Sequence, residues 1–333
     1  MGNERSDAVQ IARFVAAMLV VVTHATFYAV ERIGSPLGVW HFGEIGVPIF
    51  FVISGLVMVL STADTPANTD GACTFLLRRF VRIVPLYWLA TAAKVVVAVV
   101  APGVVHHNHF DPSHAVQSFF FIPYFNAAGE VRPMHGVGWT LLHEVFFYLL
   151  FAATLAAGRR PVLWVSGALL VLFALGSGLQ DKSAFVTVAT SPLNLNFVVG
   201  MAVGWLLLSG RSTRSWVIAA AVCAAAAWSL FGLGAGLVLA VGATVLAFAF
   251  HRLAPVWRPA IALGDSSYSL YLFHPFVTPA LVVFLGKWLA LDPLMTIGLA
   301  CVLTVGIAHA LHLSIERPVV RRARAMLAAR SLA

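Results

Sequence analysis

The sequence is short of charge and of cysteine. Only 10% of its 333 residues are Asp, Glu, Lys or Arg, where a soluble globular domain carries roughly a quarter. With 60% hydrophobic residues and a mean hydropathy of +0.91, that scarcity excludes a soluble enzyme and a disordered chain. The cysteines are Cys73, Cys223 and Cys301, odd in number, widely spaced and outside any CxxC pattern. They exclude a disulfide scaffold and supply no metal motif. Acidic residues number 13 against 21 Lys+Arg, for a net charge of +8. In a soluble chain that excess would suggest nucleic acid. Here the placement of the charges carries more information than their sum, and no nucleic-acid partner is expected.

What fills the chain is a succession of apolar runs. A transmembrane helix needs about 20 mostly apolar residues to cross a hydrocarbon core ~30 Å thick. Ten stretches qualify, approximately 9–30, 45–62, 84–102, 137–157, 161–179, 190–209, 215–231, 233–251, 264–285 and 293–314. The fold class read from them is all-α, a polytopic membrane helical bundle of about ten transmembrane helices. The pair 215–231 and 233–251 is joined only by the Gly-rich stretch from Gly232 to Gly236.

Basic residues test that count, because cytoplasmic loops are enriched in Lys and Arg. With the N-terminus inside, 15 of the 21 fall in inner segments and four, Arg32, Arg132, Lys182 and Lys287, in outer loops. Arg13 and Lys94 fall within spans. Both termini are therefore expected to be cytoplasmic. Glu4 and Asp7 beside Arg5 argue against a cleaved signal peptide. The chain reads as one integral-membrane domain, 1–333, with 318–333 a basic cytoplasmic tail. The longest connection, about 103–136, contains His106, His107, His109 and His114, then the aromatic run Phe119 to Phe125. The run is too short to span and reads as interfacial or re-entrant. The histidines lack a carboxylate or cysteine at ligand-like spacing, so a wetted outer loop is preferred to a metal site.

Ionisable side chains inside spans are costly and normally mark a pathway or an active site. A rise of 1.5 Å per residue places His24 and Glu144 both ~20 Å above the inner boundary, and His274 at ~16 Å. Three distant parts of the sequence thus reach one layer, with Asn196 and Lys94 near it. Arg13 and His24, eleven residues apart, share a helix face. Thr140, Glu144 and Tyr148 form a polar stripe, and Ser267, Tyr271 and His274 form another. Such stripes turn toward a bundle interior. Lys94 reads as a snorkelling or structurally paired lysine, and Asn196 equally as interhelical glue or as a cavity residue. His309 and His312 read as interfacial. For His24 with Glu144 function is favoured, because a buried carboxylate requires a partner. The segment Arg78-Arg79-Phe80-Val81-Arg82-Ile83-Val84-Pro85, on the inner side before the third span, suits topology and anionic lipid as well as a phosphorylated ligand.

Several ordered blocks then carry a resemblance. They are Arg13-Phe14-Val15-Ala16-Ala17 leading to His24, Phe50 to Gly55, and Arg78 to Pro85 continuing into Tyr87-Trp88. Gly138-Trp139-Thr140-Leu141 follows, ending at Glu144 and Phe147-Tyr148. The last are Ser267 to Leu272 with His274-Pro275, and Glu316-Arg317-Pro318. In their order and spacing, from about residue 8 to 322, the chain resembles the membrane-bound acyltransferase 3 family, especially its exopolysaccharide-modifying members.

The resemblance implies an O-acyltransferase of the bacterial inner membrane. It would move an acyl group, usually acetyl, from cytoplasmic acyl-CoA to a hydroxyl of a carbohydrate or lipid-linked saccharide, without a metal. It implies that Arg13, Arg78 and Arg82 hold the phosphates of CoA, that His24 is the central catalytic residue, and that Glu144 is the family's acidic position. Ser54, Trp139, Tyr271, His274 and Asn196 would line the acceptor site. The chain departs from its relatives at Leu142-His143, where they tend to carry Asn-Tyr, and at Asn196, where they often carry Glu. The chemistry expected is general-base catalysis: neutral His24 takes the acceptor's hydroxyl proton, and Glu144 orients its other ring nitrogen. A transporter or flippase of a lipid-linked saccharide is the main alternative, although no paired half-repeats with broken helices are evident. A catalytically silent membrane sensor is the third.

Overall fold

The computed structural model describes residues 3–101, 103, 110–176, 183–209 and 258–330, and those residues are helical with short connections. The helices are α1 (Asn3–Ile33), α2 (Gly46–Ser61), α3 (Thr69–Val100), α4 (Pro112–Phe119), α5 (Trp139–Ala156), α6 (Pro161–Gly176), α7 (Ala184–Ala189) and α8 (Leu195–Leu208). Beyond residue 257 come α9 (Arg258–Asp265), α10 (Ser267–Val283), α11 (Pro293–Leu311) and α12 (Arg317–Arg330). Wider π-turns follow α10 at Phe284–Trp288 and α11 at His312–Glu316. This is an all-α membrane bundle.

Among the described residues seven helical segments are long and apolar enough to cross a membrane. They fall on the expected stretches beginning at 9, 45, 84, 137, 190, 264 and 293, while the stretch at 161 is the shorter helix α6. The expected spans 215–231 and 233–251 lie outside the described residues. Large apolar side chains such as Val96, Leu163, Trp164, Leu170 and Val302 are exposed. That outward apolar surface suits lipid rather than water.

Local chemistry fixes several boundaries. Asn68 caps α3 by accepting from the Gly71 amide at 2.8 Å. Asp111 and Asp292 cap α4 and α11, each with Pro at the first helical position. Helix α3 starts well before the apolar stretch that announced it. Arg78, Arg79 and Arg82, read as an inner segment ahead of the span, are therefore turns of the helix itself. The Phe119–Phe125 run is not a helix. It leaves α4 through a left-handed Phe121 (φ 55) and returns on a loop bridged between Phe125 and Val131. Tyr87 and Trp88 of α3 hold its start, donating to the carbonyls of Ser118 (3.0 Å) and Phe119 (2.8 Å).

The chain divides into two compact units, Met1–Leu56 with Leu206–Pro318, and Val57–Trp205 with Val319–Ala333. In the first, α1 lies against α9, α10 and α11. Ala17, Val21, Ala25 and Ala29 make a small-residue stripe at i+4 spacing that packs with Leu270, Val282, Ile297, Ala300 and Ala308. Small residues let helix backbones approach closely in lipid, where apolar burial alone drives no association. In the second unit α3 packs on α5. There Phe147 stacks on Phe197 (ring centroids 4.2 Å apart) and Phe75 on Phe151 (5.1 Å).

Candidate active site

In the first unit, α1 and α10 bring two histidines together. The rings of His24 and His274 meet edge to face with centroids 4.8 Å apart. Nδ1 of His24 lies 2.9 Å from the Val20 carbonyl one turn earlier. A carbonyl only accepts, so Nδ1 carries the proton and Nε2 is the acceptor nitrogen of the neutral ring. His274 is held the same way: its Nδ1 donates to the Tyr271 carbonyl at 2.7 Å. The reason is next to it in the sequence. Pro275 has no amide proton, so the carbonyl four residues before it, that of Tyr271, loses its helical donor. The imidazole replaces that donor. His274 is fully buried, and Tyr271 packs beside it against Phe50 (5.6 Å). Arg13, three turns before His24 on α1, and Ser54 on α2 are both half-buried.

In the second unit, Glu144 and Tyr148 of the expected α5 stripe are hydrogen-bonded to each other, Tyr148 donating to Oε1 of Glu144. Thr140 instead turns its hydroxyl to the Val137 carbonyl, 3.2 Å away. Arg79 crosses this stripe: its guanidinium lies 5.5 Å from the centre of the Phe75 ring and 5.9 Å from that of Tyr148, and donates to the Ser61 hydroxyl at 2.6 Å. Arg79 and Arg82 both lie within electrostatic reach of Tyr148. Arg78 is exposed and Arg82 half-buried.

Trp139 is half-buried and packs against His143. His143, where the sequence departs from its relatives, is a fixed element of the unit. The Asn194 amide donates to the carbonyls of Val188 (2.7 Å) and Ala189 (3.2 Å), which leaves its oxygen to accept from His143 Nδ1 at 2.9 Å. Asn196 donates to the Leu193 carbonyl at 2.9 Å, while its side-chain oxygen is buried without a hydrogen-bond partner among the described residues. Such an orphaned acceptor costs about 1–3 kcal/mol. Lys94 is half-buried on α3.

At the α9–α10 corner, burial pushes the Asp265 carboxyl above its ordinary value. Neighbouring His312 opposes the shift, Glu316 adds to it, Arg317 opposes it and Asp7 adds to it. Among the described residues no three His, Cys, Asp or Glu side chains are grouped to hold a metal ion. His114 Nε2 donates to the Arg132 carbonyl, 2.8 Å away; His106, His107 and His109 lie outside the described residues.

Sequence reasoning missed three parts of this geometry: the Val20 carbonyl, Pro275 as the cause of the His274 orientation, and the Asn194–His143 pair. Only Pro275 had a readable signal, the His-Pro dipeptide inside a helical run.

The chain is similar to known proteins along most of its length. A family model described as an acyltransferase domain matches residues 6–313. The exopolysaccharide production protein ExoZ of Rhizobium meliloti is 33% identical over 315 residues, covering 90% of this chain and 95% of ExoZ. Nodulation protein 10 of Rhizobium leguminosarum bv. viciae is 27% identical over 338 residues, covering 87% and 89% of the two chains. The peptidoglycan O-acetyltransferase OatA of Listeria monocytogenes is 30% identical over 151 residues, 41% of this chain and 23% of OatA. No solved structure matches. The enzyme reading therefore prevails over the transporter and sensor alternatives: the chain belongs to the membrane-bound acyltransferase 3 family and is a multi-pass acyltransferase.

Proposed function

We propose that the chain transfers an acyl group, acetyl in the simplest case, from acyl-CoA on the cytoplasmic side of a bacterial inner membrane to a carbohydrate hydroxyl. The observation that carries this reading is the His24–His274 pair, with each Nδ1 turned onto a main-chain carbonyl. That arrangement makes Nε2 of His24 the proton acceptor and lets the Val20 carbonyl steady the imidazolium. As the acceptor oxygen bonds to the thioester carbon, its proton passes to Nε2. The carbon–sulfur bond then breaks, and the imidazolium returns the proton to the departing thiolate. A positioned imidazole base contributes typically ~10²–10⁴-fold.

The acceptor class rests on similarity to ExoZ, named for exopolysaccharide production, and to OatA, named as an O-acetyltransferase of peptidoglycan. The orphaned oxygen of Asn196 suits a ligand hydroxyl, which supports a carbohydrate or lipid-linked saccharide. Ser54, Trp139, Tyr271 and His274 are proposed to line acceptor or oxyanion positions. Arg78 and Arg82, four residues apart and so on one face of α3, suit the phosphates of CoA, with Arg13 contributing from α1. Because Val20 already sets the His24 tautomer, orientation of Nδ1 does not require Glu144. Glu144→Gln, which retains an oxygen for Tyr148, checks this: a loss of transfer in that variant would restore Glu144 as a partner of the base, and unchanged transfer would leave it a structural partner of Tyr148.

The test is His24→Ala in purified protein given acetyl-CoA and crude glycan acceptor. Loss of transfer by at least ~10²-fold with unchanged folding is expected. Wild-type transfer would remove His24 as the base.

A further inference from the structure

Glu316 belongs to a sequence block that the proposed chemistry leaves unused, and the structure gives it an unusual setting. It ends the π-turn His312–Glu316, where a wider turn rotates the following side chains relative to an α-helix. Its Oε2 accepts two hydrogen bonds, from the Ser269 hydroxyl at 2.6 Å and from Nδ1 of His312 at 2.9 Å. Ser269 is fully buried and Glu316 nearly so. The order serine–carboxylate–imidazole does not activate a nucleophile, because the hydroxyl donates to the carboxylate and not to the ring. What it does is tie the first turn of α10 to the end of α11.

Other polar links join the two elements among the described residues. His309 meets the Ser266 hydroxyl at 3.3 Å, and Thr278 meets Thr304 at 3.1 Å near the far end of α10. The Ser266 hydroxyl donates to the Leu263 carbonyl, 2.9 Å away, and makes no cap for α10. The Glu316 carboxylate, with Asp265 nearby, lies at the positive end of the α10 dipole. In lipid, interhelical hydrogen bonds act together with close packing, and directional polar links help fix the register of packed helices. The register of α10 decides where His274 stands against His24.

The geometry points to Glu316 as a positioning residue: through Ser269 it sets the height of α10, and so the placement of His274 beside His24. This rests on the proposed His24 chemistry for its kinetic consequence but not for its structural one.

The experiment measures acyl transfer and 15N-histidine NMR spectra in detergent for Ser269→Ala, Glu316→Ala and Glu316→Asp, with the His274 signals assigned from His274→Gln. Ser269→Ala and Glu316→Ala are each expected to lower kcat at least tenfold with KM for acyl-CoA within twofold. Both shift the His274 nitrogen resonances, and Glu316→Asp restores part of each effect. Unmoved His274 resonances in Ser269→Ala, the milder variant, would overturn the proposal even if Glu316→Ala did not fold. Equal losses in kcat and in folded protein, with no His274 shift, would overturn it as well. If the wild type transferred no acyl group, the functional reading would fall while the spectra still decided the register.

Discussion

His274 takes the carbonyl of Tyr271, 2.7 Å from Nδ1, because Pro275 leaves that carbonyl without a helical donor. Sequence and site geometry meet in this bond: one dipeptide fixes both the tautomer of the imidazole and the direction of its Nε2.

Replacing Pro275 by Ala returns the missing amide proton to compete for the Tyr271 carbonyl. The expected outcome is a more stable helix, since an interior proline costs about 3 kcal/mol, with a less active enzyme. A weakened hydrogen bond of about 0.5–1.5 kcal/mol corresponds to a fall of about two- to tenfold in kcat. Thermal unfolding in detergent and steady-state kinetics check the two halves, and a Pro275→Ala enzyme with full kcat would contradict this account of His274.

The arginines of α3 separate by environment. Arg78→Ala and Arg82→Ala are expected to raise the KM for acyl-CoA with little effect on unfolding temperature, because Arg78 is exposed and Arg82 half-buried. Arg79→Ala removes the Ser61 hydrogen bond and the packing on Phe75 and Tyr148. It is expected to destabilise by about 1–3 kcal/mol, as hydrogen bonds of charged groups and stacked guanidinium groups do. Calorimetry and isothermal titration with CoA distinguish the two patterns.

Gly46 opens α2 where it presses on α1. A β-carbon there would meet the Ala16 carbonyl and come 2.9 Å from Cγ2 of Val20, the residue whose carbonyl holds His24. Gly46→Ala is expected to cost about 1–3 kcal/mol, the usual penalty of overpacking, and to lower kcat by displacing that turn. Unfolding temperature and turnover measured together test it.

Asp265 gives a pH dependence of defined sign. Its folded-state pKa is raised by burial, so the folded chain holds its proton more tightly than the unfolded one. The penalty is absent below the ordinary aspartate value, grows as pH rises through the interval up to the raised value, and is constant above it. Asp265→Asn is expected to unfold at higher temperature than wild type at neutral pH, the difference vanishing toward acid. A difference that grows on acidification would reverse the assignment.

Hydropathy made most of the bundle legible, because lipid demands long apolar runs whatever their tertiary partners. It failed where polarity and helicity coincide. The turns carrying Arg78, Arg79 and Arg82 are as helical as the apolar turns after Pro85, yet their charge hid them. The Phe119–Phe125 run shows the converse, an apolar stretch that is not a helix because Phe121 turns left-handed. At the site, residue types and depths singled out His24, Glu144 and His274; of these His274 is fully buried, while His24 and Glu144 are half-buried. Their immediate partners were not readable. Val20 and Tyr271 act through main-chain oxygens that every residue possesses, and Glu316 reaches Ser269 across 47 positions of sequence by way of a π-turn.

Helix α3 has one more implication. Its 32 residues make a rod ~48 Å long, so ~18 Å of it outreaches a hydrocarbon core of ~30 Å. Arg78, Arg79 and Arg82 lie in the polar part of that helix before Pro85, and the Arg78 side chain is exposed there. Under the proposed function, added salt should therefore weaken the grip on the polyanionic donor and raise its KM, while turnover at saturating donor changes little.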